Sequence, residues 1–107
     1  MEHTRVARLL ALTLLLVACS PARKPRAVQV RIEGFVYTPA AVTVAPGDTV
    51  VWTNHDLVPH TATARDGEFD SGSIASGATW RYVVRKTGTV AYYCRFHPTM
   101  EGTLTVR

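Results

Sequence analysis

The chain has 107 residues and a formal net charge of +4, a length that predicts one domain. From residue 27 onward seven Lys and Arg residues balance seven Asp and Glu residues, so the positive excess lies in the N-terminal segment. A folded part without excess positive charge gives no support for nucleic-acid binding, and none is expected.

Residues 1–18 have the pattern of a secretory signal peptide. Arg5 and Arg8 supply a positive start, and the apolar run at residues 9–17 is too short to span a bilayer. The run leads into LVAC at residues 16–19, which resembles the lipobox of bacterial lipoproteins. The resemblance implies that Cys19 becomes a lipid-modified N-terminus, whereas ordinary secretory cleavage nearby would leave Cys19 incidental.

Residues 19–27 are predicted to be a lipidated N-terminus and a flexible tether, because prolines and basic residues dominate and large apolar residues are absent. The tether fits a solvated spacer and equally a segment lying against anionic head groups. In an oxidising compartment a Cys19–Cys94 disulfide is an alternative. If Cys19 is acylated, Cys94 is a lone exported thiol at risk of oxidation, and a bound metal would explain its presence.

From residue 28 the sequence shows apolar alternation and turn signals typical of β structure. Strands are predicted at residues 28–36, 41–44, 49–53, 60–64, 79–84, 89–93 and 102–107. No helical periodicity longer than one turn follows residue 19. Seven or so short strands at regular spacing predict an all-β domain over residues 28–107, a small antiparallel or mixed β-sandwich.

The expected core consists of apolar residues at the inward positions of these strands, with both tryptophans as anchors. Its members are Val30, Ile32, Phe35, Val44, Val50, Trp52, Trp80, Tyr82, Val84, Val90, Tyr92, Leu104 and Val106.

The last predicted turn, YYCRFHPTM at residues 92–100, contains a thiol, an imidazole and a thioether at intervals of three: Cys94, His97 and Met100. Each residue alone has an ordinary structural explanation, since methionine commonly fills gaps in a core. Together they form a soft to borderline ligand set. Two histidines and a cysteine with a weak axial methionine form blue-copper electron-transfer sites, whereas zinc gains little from a thioether. A second histidine must come from elsewhere in the chain.

Two segments carry a resemblance to the cupredoxin family, in particular to its amicyanin and plastocyanin branches: VAPGDTVVWTNHDLVPH at residues 44–60 and YYCRFHPTM at residues 92–100. The Cys-x2-His-x2-Met spacing is that of amicyanins. The resemblance implies a cupredoxin-like Greek-key β-sandwich of about seven or eight strands. It also implies one copper ion per chain, cycling between Cu(II) and Cu(I), with His60, Cys94 and His97 as equatorial ligands and Met100 as the axial ligand. His55 matches no ligand position.

The chain departs from the family pattern at two positions. Thr61 replaces the asparagine that follows the upstream ligand histidine, so the bracing of this loop is in question. Phe96 replaces a proline two residues after the ligand cysteine. Because Phe96 has an N–H that proline lacks, we expect this amide to bond the Cys94 sulfur.

Four protein ligands leave no open position for substrate, so the resemblance favours a carrier and not an enzyme. The predicted function is an exported, lipid-anchored type 1 copper protein, a monomer that shuttles single electrons on the periplasmic or outer face of a membrane. Redox partners are expected to dock on an apolar patch around His97, formed by Phe96, Pro98, Met100 and Pro59. The alternatives are copper storage or delivery, a β-sandwich with zinc or no metal, and an accessory domain of a larger complex.

Overall fold

The computed structural model describes residues 10–16 and 23–107, so Cys19 lies outside the described residues. The folded part is built from strands alone: β1 Ala27–Glu33, β2 Val36–Thr38, β3 Ala41–Val44, β4 Thr49–Asn54, β5 Thr63–Ala64, β6 Thr79–Val83, β7 Gly88–Tyr93 and β8 Glu101–Val106. None of the residues described forms a helix long and apolar enough to cross a membrane. The prediction of an all-β fold with seven or eight strands is confirmed.

The strands form two mixed four-stranded sheets, in the orders β2-β1-β4-β6 and β3-β8-β7-β5. Each sheet contains one parallel pair, β1 with β4 and β3 with β8, and its other pairs are antiparallel. Alternate residues of β1 and β8 are buried, as expected for strands with one face on a core. The predicted β-sandwich is therefore the observed architecture.

The core lies between the inner faces of the two sheets and is centred on Trp52, which is fully buried against Phe69, Trp80 and Tyr92. Trp80 itself is only half-buried, as is Tyr82, so these two predicted core residues border the core. Gly102 lies opposite Tyr92 in the β7–β8 register, and a Cβ at this position would overlap the tyrosine ring.

Two predicted strands differ from the observed ones. The predicted strand at residues 28–36 is broken by a two-residue turn, because Gly34 and Phe35 both have positive φ, 65° and 61°. Such dihedrals are those of a type I′ hairpin turn, which here joins β1 to β2. The predicted strand at residues 60–64 shortens to β5, with His60 in an isolated bridge to Ile74.

The prediction that Phe35 belongs to the core is wrong. The turn places this side chain at the end of the sandwich, where it is 47% exposed. Phe35 alternates with apolar neighbours as a strand residue would, which predicted a core position. A turn was not expected there because a phenylalanine at positive φ is unusual.

The connections between strands divide the sandwich into two poles. We call the end that carries residues 55–62 and 94–100 the site pole, and the opposite end, around the turn at residues 45–48, the basal pole. At the basal pole Ala27 pairs with Thr49, and Val44 pairs with Val106. Because β4 and β7 both run from the basal pole to the site pole, the loops that follow them meet there.

A buried carboxylate ties the segment before β1 to the basal pole. Asp48 is 1% exposed and accepts hydrogen bonds from the Arg23 guanidinium at 2.9 and 3.2 Å. It also accepts from the amides of Arg26 and Ala45, at 3.0 and 2.9 Å. The Arg23 hydrogen bond, followed by those of the two amides, lowers the pKa of the Asp48 carboxyl well below its ordinary value.

We expect Asp48 to make the stability of the fold depend on pH. A carboxyl whose pKa is lower in the folded state stabilises it above the unfolded pKa, and this stabilisation is lost as pH falls toward the folded pKa. The free energy of unfolding of the metal-free protein in urea should therefore begin to fall below about pH 4. Arg23→Gln should reduce this fall, because it raises the folded pKa of Asp48.

The matched control is Arg31→Gln, which removes the exposed ion pair between Arg31 and Glu33. This control should change the acid limb of the stability curve much less than Arg23→Gln. Identical pH dependence in Arg23→Gln and the unaltered chain would contradict the role given to Asp48.

Candidate metal centre

Three predicted ligands come together at the site pole. The Sγ of Cys94 lies 3.6 Å from Nδ1 of His60 and 3.8 Å from Nδ1 of His97. These donor atoms all lie within 4.8 Å of one another. His60 and Cys94 are fully buried, and His97 is half-buried. The fold thus brings residues 34 positions apart in sequence into one cluster.

The spacing of the donor atoms fits a first-row metal ion. Metal bonds to histidine nitrogen and thiolate sulfur are about 2.0 to 2.3 Å long, so three donors in a plane around the ion lie roughly 3.6 Å apart. The observed separations of 3.6 and 3.8 Å agree with this value. A trigonal set of two imidazoles and one thiolate fits copper.

The segment from Cys94 to Met100 forms a tight turn between β7 and β8. The His97 amide donates to the Cys94 carbonyl at 3.2 Å, and the Met100 amide donates to the His97 carbonyl at 2.8 Å. The Cys94 amide in turn donates to the Met100 carbonyl at 3.1 Å. Three backbone hydrogen bonds therefore join the three residues, which restricts the positions that their side chains can adopt.

Met100 is 3% exposed and packs with the core at the end of this turn. This burial suits an axial ligand. It also means that the prediction of Met100 as part of the apolar surface patch around His97 is wrong. His55 is exposed and is not part of the cluster.

The other nitrogen of the His60 ring faces a carboxylate. Nε2 of His60 lies 2.8 Å from Oδ2 of Asp56. Burial opposes ionisation of Asp56, but the amides of Phe35 and Gly34 and the His60 ring outweigh it and lower the pKa of this carboxyl. An ionised carboxylate only accepts hydrogen bonds, so Nε2 carries the proton and Nδ1 keeps its lone pair toward the cluster.

Asp56 also holds the Gly34–Phe35 turn against the cluster. Its carboxylate accepts from the Gly34 amide at 2.7 Å and the Phe35 amide at 3.0 Å. The Phe35 ring then meets both imidazoles edge to face, with centroid distances of 5.2 Å to His60 and 4.8 Å to His97. These contacts explain why a phenylalanine occupies a turn position that favours glycine.

Thr61 connects the two loops that supply the donors. Its amide donates to Sγ of Cys94 at 3.3 Å, and its Oγ1 accepts from the Arg95 amide at 2.9 Å. The same hydroxyl lies 2.9 Å from Oγ1 of Thr63, and the Thr61 carbonyl accepts from the Tyr37 hydroxyl. The loop is therefore braced although Thr61 stands where the family pattern has asparagine.

The prediction of a hydrogen bond from the Phe96 amide to the Cys94 sulfur is wrong. Within the part of the chain that the structure describes, the amide hydrogen bond to this sulfur comes from Thr61. Asp56 was not among the predicted site residues, and Phe35 was predicted to lie in the core. Asp56 could have been identified from its position, because it is an acidic residue four positions before His60. Nothing in the local sequence indicated that Phe35 turns toward the histidines.

The bridging role of Thr61 gives a stability prediction. Thr61→Val keeps the side-chain shape but leaves the Arg95 amide without its acceptor, which should lower the free energy of unfolding by about 1–3 kcal/mol. Urea unfolding of the metal-free protein measures this change. Thr79→Val is a matched control, because its exposed hydroxyl pairs with the Thr53 hydroxyl at 3.2 Å on the surface, and it should cost within about 0.5 kcal/mol. Equal losses in the two variants would contradict a bridging role for Thr61.

Comparison with known proteins agrees with this geometry. The profile of the family described as "Cupredoxin-like domain" matches residues 6–106. Among solved structures, a reduced amicyanin mutant superimposes with a TM-score of 0.68 at 29% identity, covering 76% of this chain and 82% of that chain. A purple cupredoxin from Nitrosopumilus maritimus gives a TM-score of 0.68 at 32% identity, with coverage of 75% and 99%.

Two curated proteins show the same relationship. The chain is 29% identical over 85 residues to amicyanin from Paracoccus versutus, covering 75% of this chain and 64% of the relative, so it spans just under two thirds of that protein. It is 31% identical over 85 residues to plastocyanin from Scenedesmus fuscus, with coverage of 67% and 87%. With its two mixed sheets, its histidine and cysteine cluster and a family match across nearly its whole length, this chain belongs to the cupredoxin family of copper proteins.

Proposed function

We propose that this protein is a type 1 copper electron carrier, with His60, Cys94 and His97 as equatorial ligands and Met100 as the axial ligand. The observation that carries the proposal is the buried cluster of one sulfur and two Nδ1 atoms at metal-binding separations. When bound there, copper supplies one-electron chemistry between its Cu(II) and Cu(I) states. The protein is a carrier and not an enzyme.

The surroundings of the cluster favour a site that changes little between two oxidation states. The Cys94 turn is closed by backbone hydrogen bonds, and the His60 ring is held by Asp56 on one side and Phe35 on another. Thr61 links the His60 loop directly to the Cys94 sulfur. Ligands held before the metal binds need little rearrangement, which favours fast electron transfer.

The half-buried His97 is the proposed path for electrons to the surface. The Phe35 ring contacts His97, and the same pole carries further exposed apolar side chains. We call this set the apolar patch: Phe35, Leu57, Val58, Pro59, Phe96 and Pro98. Leu57 is 94% exposed and adds apolar area to this patch. Small apolar surfaces suit brief encounters with redox partners.

We further propose export and attachment to a membrane through a lipid on Cys19. Support comes from the sequence: a positive start, a short apolar run and the LVAC segment. Within residues 10–16 and 23–107, which the structure describes, all strands lie between residues 27 and 106. The proposed carrier is a monomer that works on the outer side of the membrane to which it is attached.

The first test is addition of Cu(II) to the purified protein. We expect one copper per chain, an intense visible band from thiolate-to-copper charge transfer, and fast reversible reduction. Cys94→Ser should abolish the band because the thiolate is its source, whereas the matched control His55→Ala should leave it unchanged. A protein that binds copper but is colourless and redox-inert would overturn the carrier and favour storage or delivery.

The second test concerns the apolar patch. Pro98→Glu places a charge beside His97, so two copies of the variant repel each other when their patches meet. Electron self-exchange between the Cu(I) and Cu(II) forms, measured by NMR line broadening, should slow by about tenfold while the visible spectrum stays unchanged. Val83→Glu is the control, because Val83 is 41% exposed at the basal end of β6 and should have little effect. Equal slowing in both variants would contradict docking through the patch.

A further inference from the structure

The basal pole collects basic side chains from three separate segments around the turn at residues 45–48. The Arg26 carbonyl accepts a hydrogen bond from the Thr49 amide at 2.9 Å. The Asp48 carbonyl accepts one from the amide of Val84, the residue before Arg85 and Lys86, also at 2.9 Å. The Arg107 amide donates to the Val44 carbonyl, also at 2.9 Å. Backbone hydrogen bonds therefore fix the three segments to one turn.

The segment before β1 decides the sign of the charge at this pole. Arg85, Lys86 and Arg107 are balanced there by three acidic residues, Asp48, Asp66 and Glu68, the last two of which line a cleft together with Lys86. Residues 23–26 add three further cations that the Asp48 hydrogen bonds hold in place: Arg23, Lys24 and Arg26. The complete basal pole is therefore basic, although the sequence from residue 27 onward is neutral.

The site pole has no such excess, because its charged side chains are paired. Arg95 pairs with Asp70 at 2.6 Å, and Arg65 pairs with Glu101 at 2.7 Å. Glu33 pairs with Arg31, and Asp56 is bonded to His60. In the described part of the chain, by contrast, no ion pair involves Lys24, Arg85, Lys86 or Arg107. The two poles thus differ in charge and in apolar character.

The position of Arg23 also restricts how far the domain can stand from an anchor at Cys19. Residues 20–22 alone separate the two, and an extended chain covers at most about 3.6 Å per residue. The Arg23–Asp48 contact places Arg23 itself at the basal pole. Strand β1 then carries the chain about 20 Å toward the site pole.

We propose that the basal pole is a contact surface for anionic lipid head groups, which holds the metal site away from the bilayer and toward partners in the aqueous compartment. This proposal rests on the proposed lipid anchor at Cys19. A single acyl chain or a basic surface alone binds membranes weakly, whereas together they attach a protein stably. The occupant is a lipid surface because the chain leaves the domain at this pole toward its anchor.

The first measurement uses the chain from residue 20 onward, which contains every strand in the described part of the chain and needs no lipid. We expect it to sediment with vesicles of phosphatidylcholine and phosphatidylglycerol at low ionic strength, and not with vesicles of phosphatidylcholine alone. Arg85→Gln/Lys86→Gln should weaken this binding by about tenfold. Arg31→Gln/Arg65→Gln removes the same charge from residues outside the basal pole and should change it less than about twofold.

The second measurement tests orientation in the mature protein, lipidated at Cys19, loaded with copper and held in phosphatidylglycerol vesicles. Ascorbate in the water should reduce it as fast as it reduces the same protein in detergent. A reduction several times slower on vesicles would overturn the proposal, because it would mean that the lipid covers the site pole. The proposal would also be overturned if vesicle binding were absent, or if it were equal in the two double variants. The basal pole would then be assigned to an acidic protein partner instead of a lipid surface.

These outcomes are separable from failure of the proposed function. Sedimentation does not depend on copper, so it reports on the basal pole even if the protein carries no electrons. Mass spectrometry of the N-terminal peptide shows independently whether Cys19 is acylated.

Discussion

The hydrogen bonds of Thr61 are the constraint on which the candidate site depends. The His60 loop follows β4 in one sheet, and the Cys94 turn follows β7 in the other. Thr61 joins them by two hydrogen bonds: its amide donates to the Cys94 sulfur, and its hydroxyl oxygen accepts from the Arg95 amide. The first bond is buried and the second is partly buried, so separating the loops would leave polar groups without their partners in a site that water reaches poorly. The donor atoms therefore stay close without relying on an ion to gather them.

Asp56 constrains the outer side of the site in a similar way, through several hydrogen bonds to one side chain. One carboxylate accepts from the His60 ring and from two amides of the β1–β2 turn. It selects which His60 nitrogen keeps a lone pair and positions Phe35 against both imidazoles. Ligand orientation, turn conformation and the exposed aromatic surface are thereby coupled through a single side chain.

In the proposed lipid-anchored carrier, the two ends of the sandwich have separate roles. Paired charges and exposed apolar side chains characterise the site pole, while the basal pole gathers cations around the buried Asp48. Electron exchange requires a face that partners approach and leave quickly, and attachment requires a face that remains in place. Placing the two about one strand length apart allows both without competition for the same surface.

Much of the fold and of the cluster could be predicted from the sequence. The period of two identified the strands, and the family's spacing in residues 52–60 and 94–100 singled out His60, Cys94 and His97, which the structure brings together. The strands could be predicted because alternation is a local property of the chain, and the grouping of the three side chains agrees with the predicted ligand set, whose binding of copper remains a proposal. The nature of the residues, one thiol, two imidazoles and one thioether, was enough to favour copper over other metals.

Other features were decided by tertiary structure alone. Phe35 has the alternation of a core residue, yet a carboxylate from another loop bends its turn and exposes it. The sulfur accepts a hydrogen bond from Thr61, 33 positions earlier, and not from the adjacent Phe96. The basic basal pole likewise requires Arg23 to meet Asp48 across 25 positions. Composition and spacing describe neighbours along the chain, whereas these contacts depend on which loops the two sheets bring to the same pole.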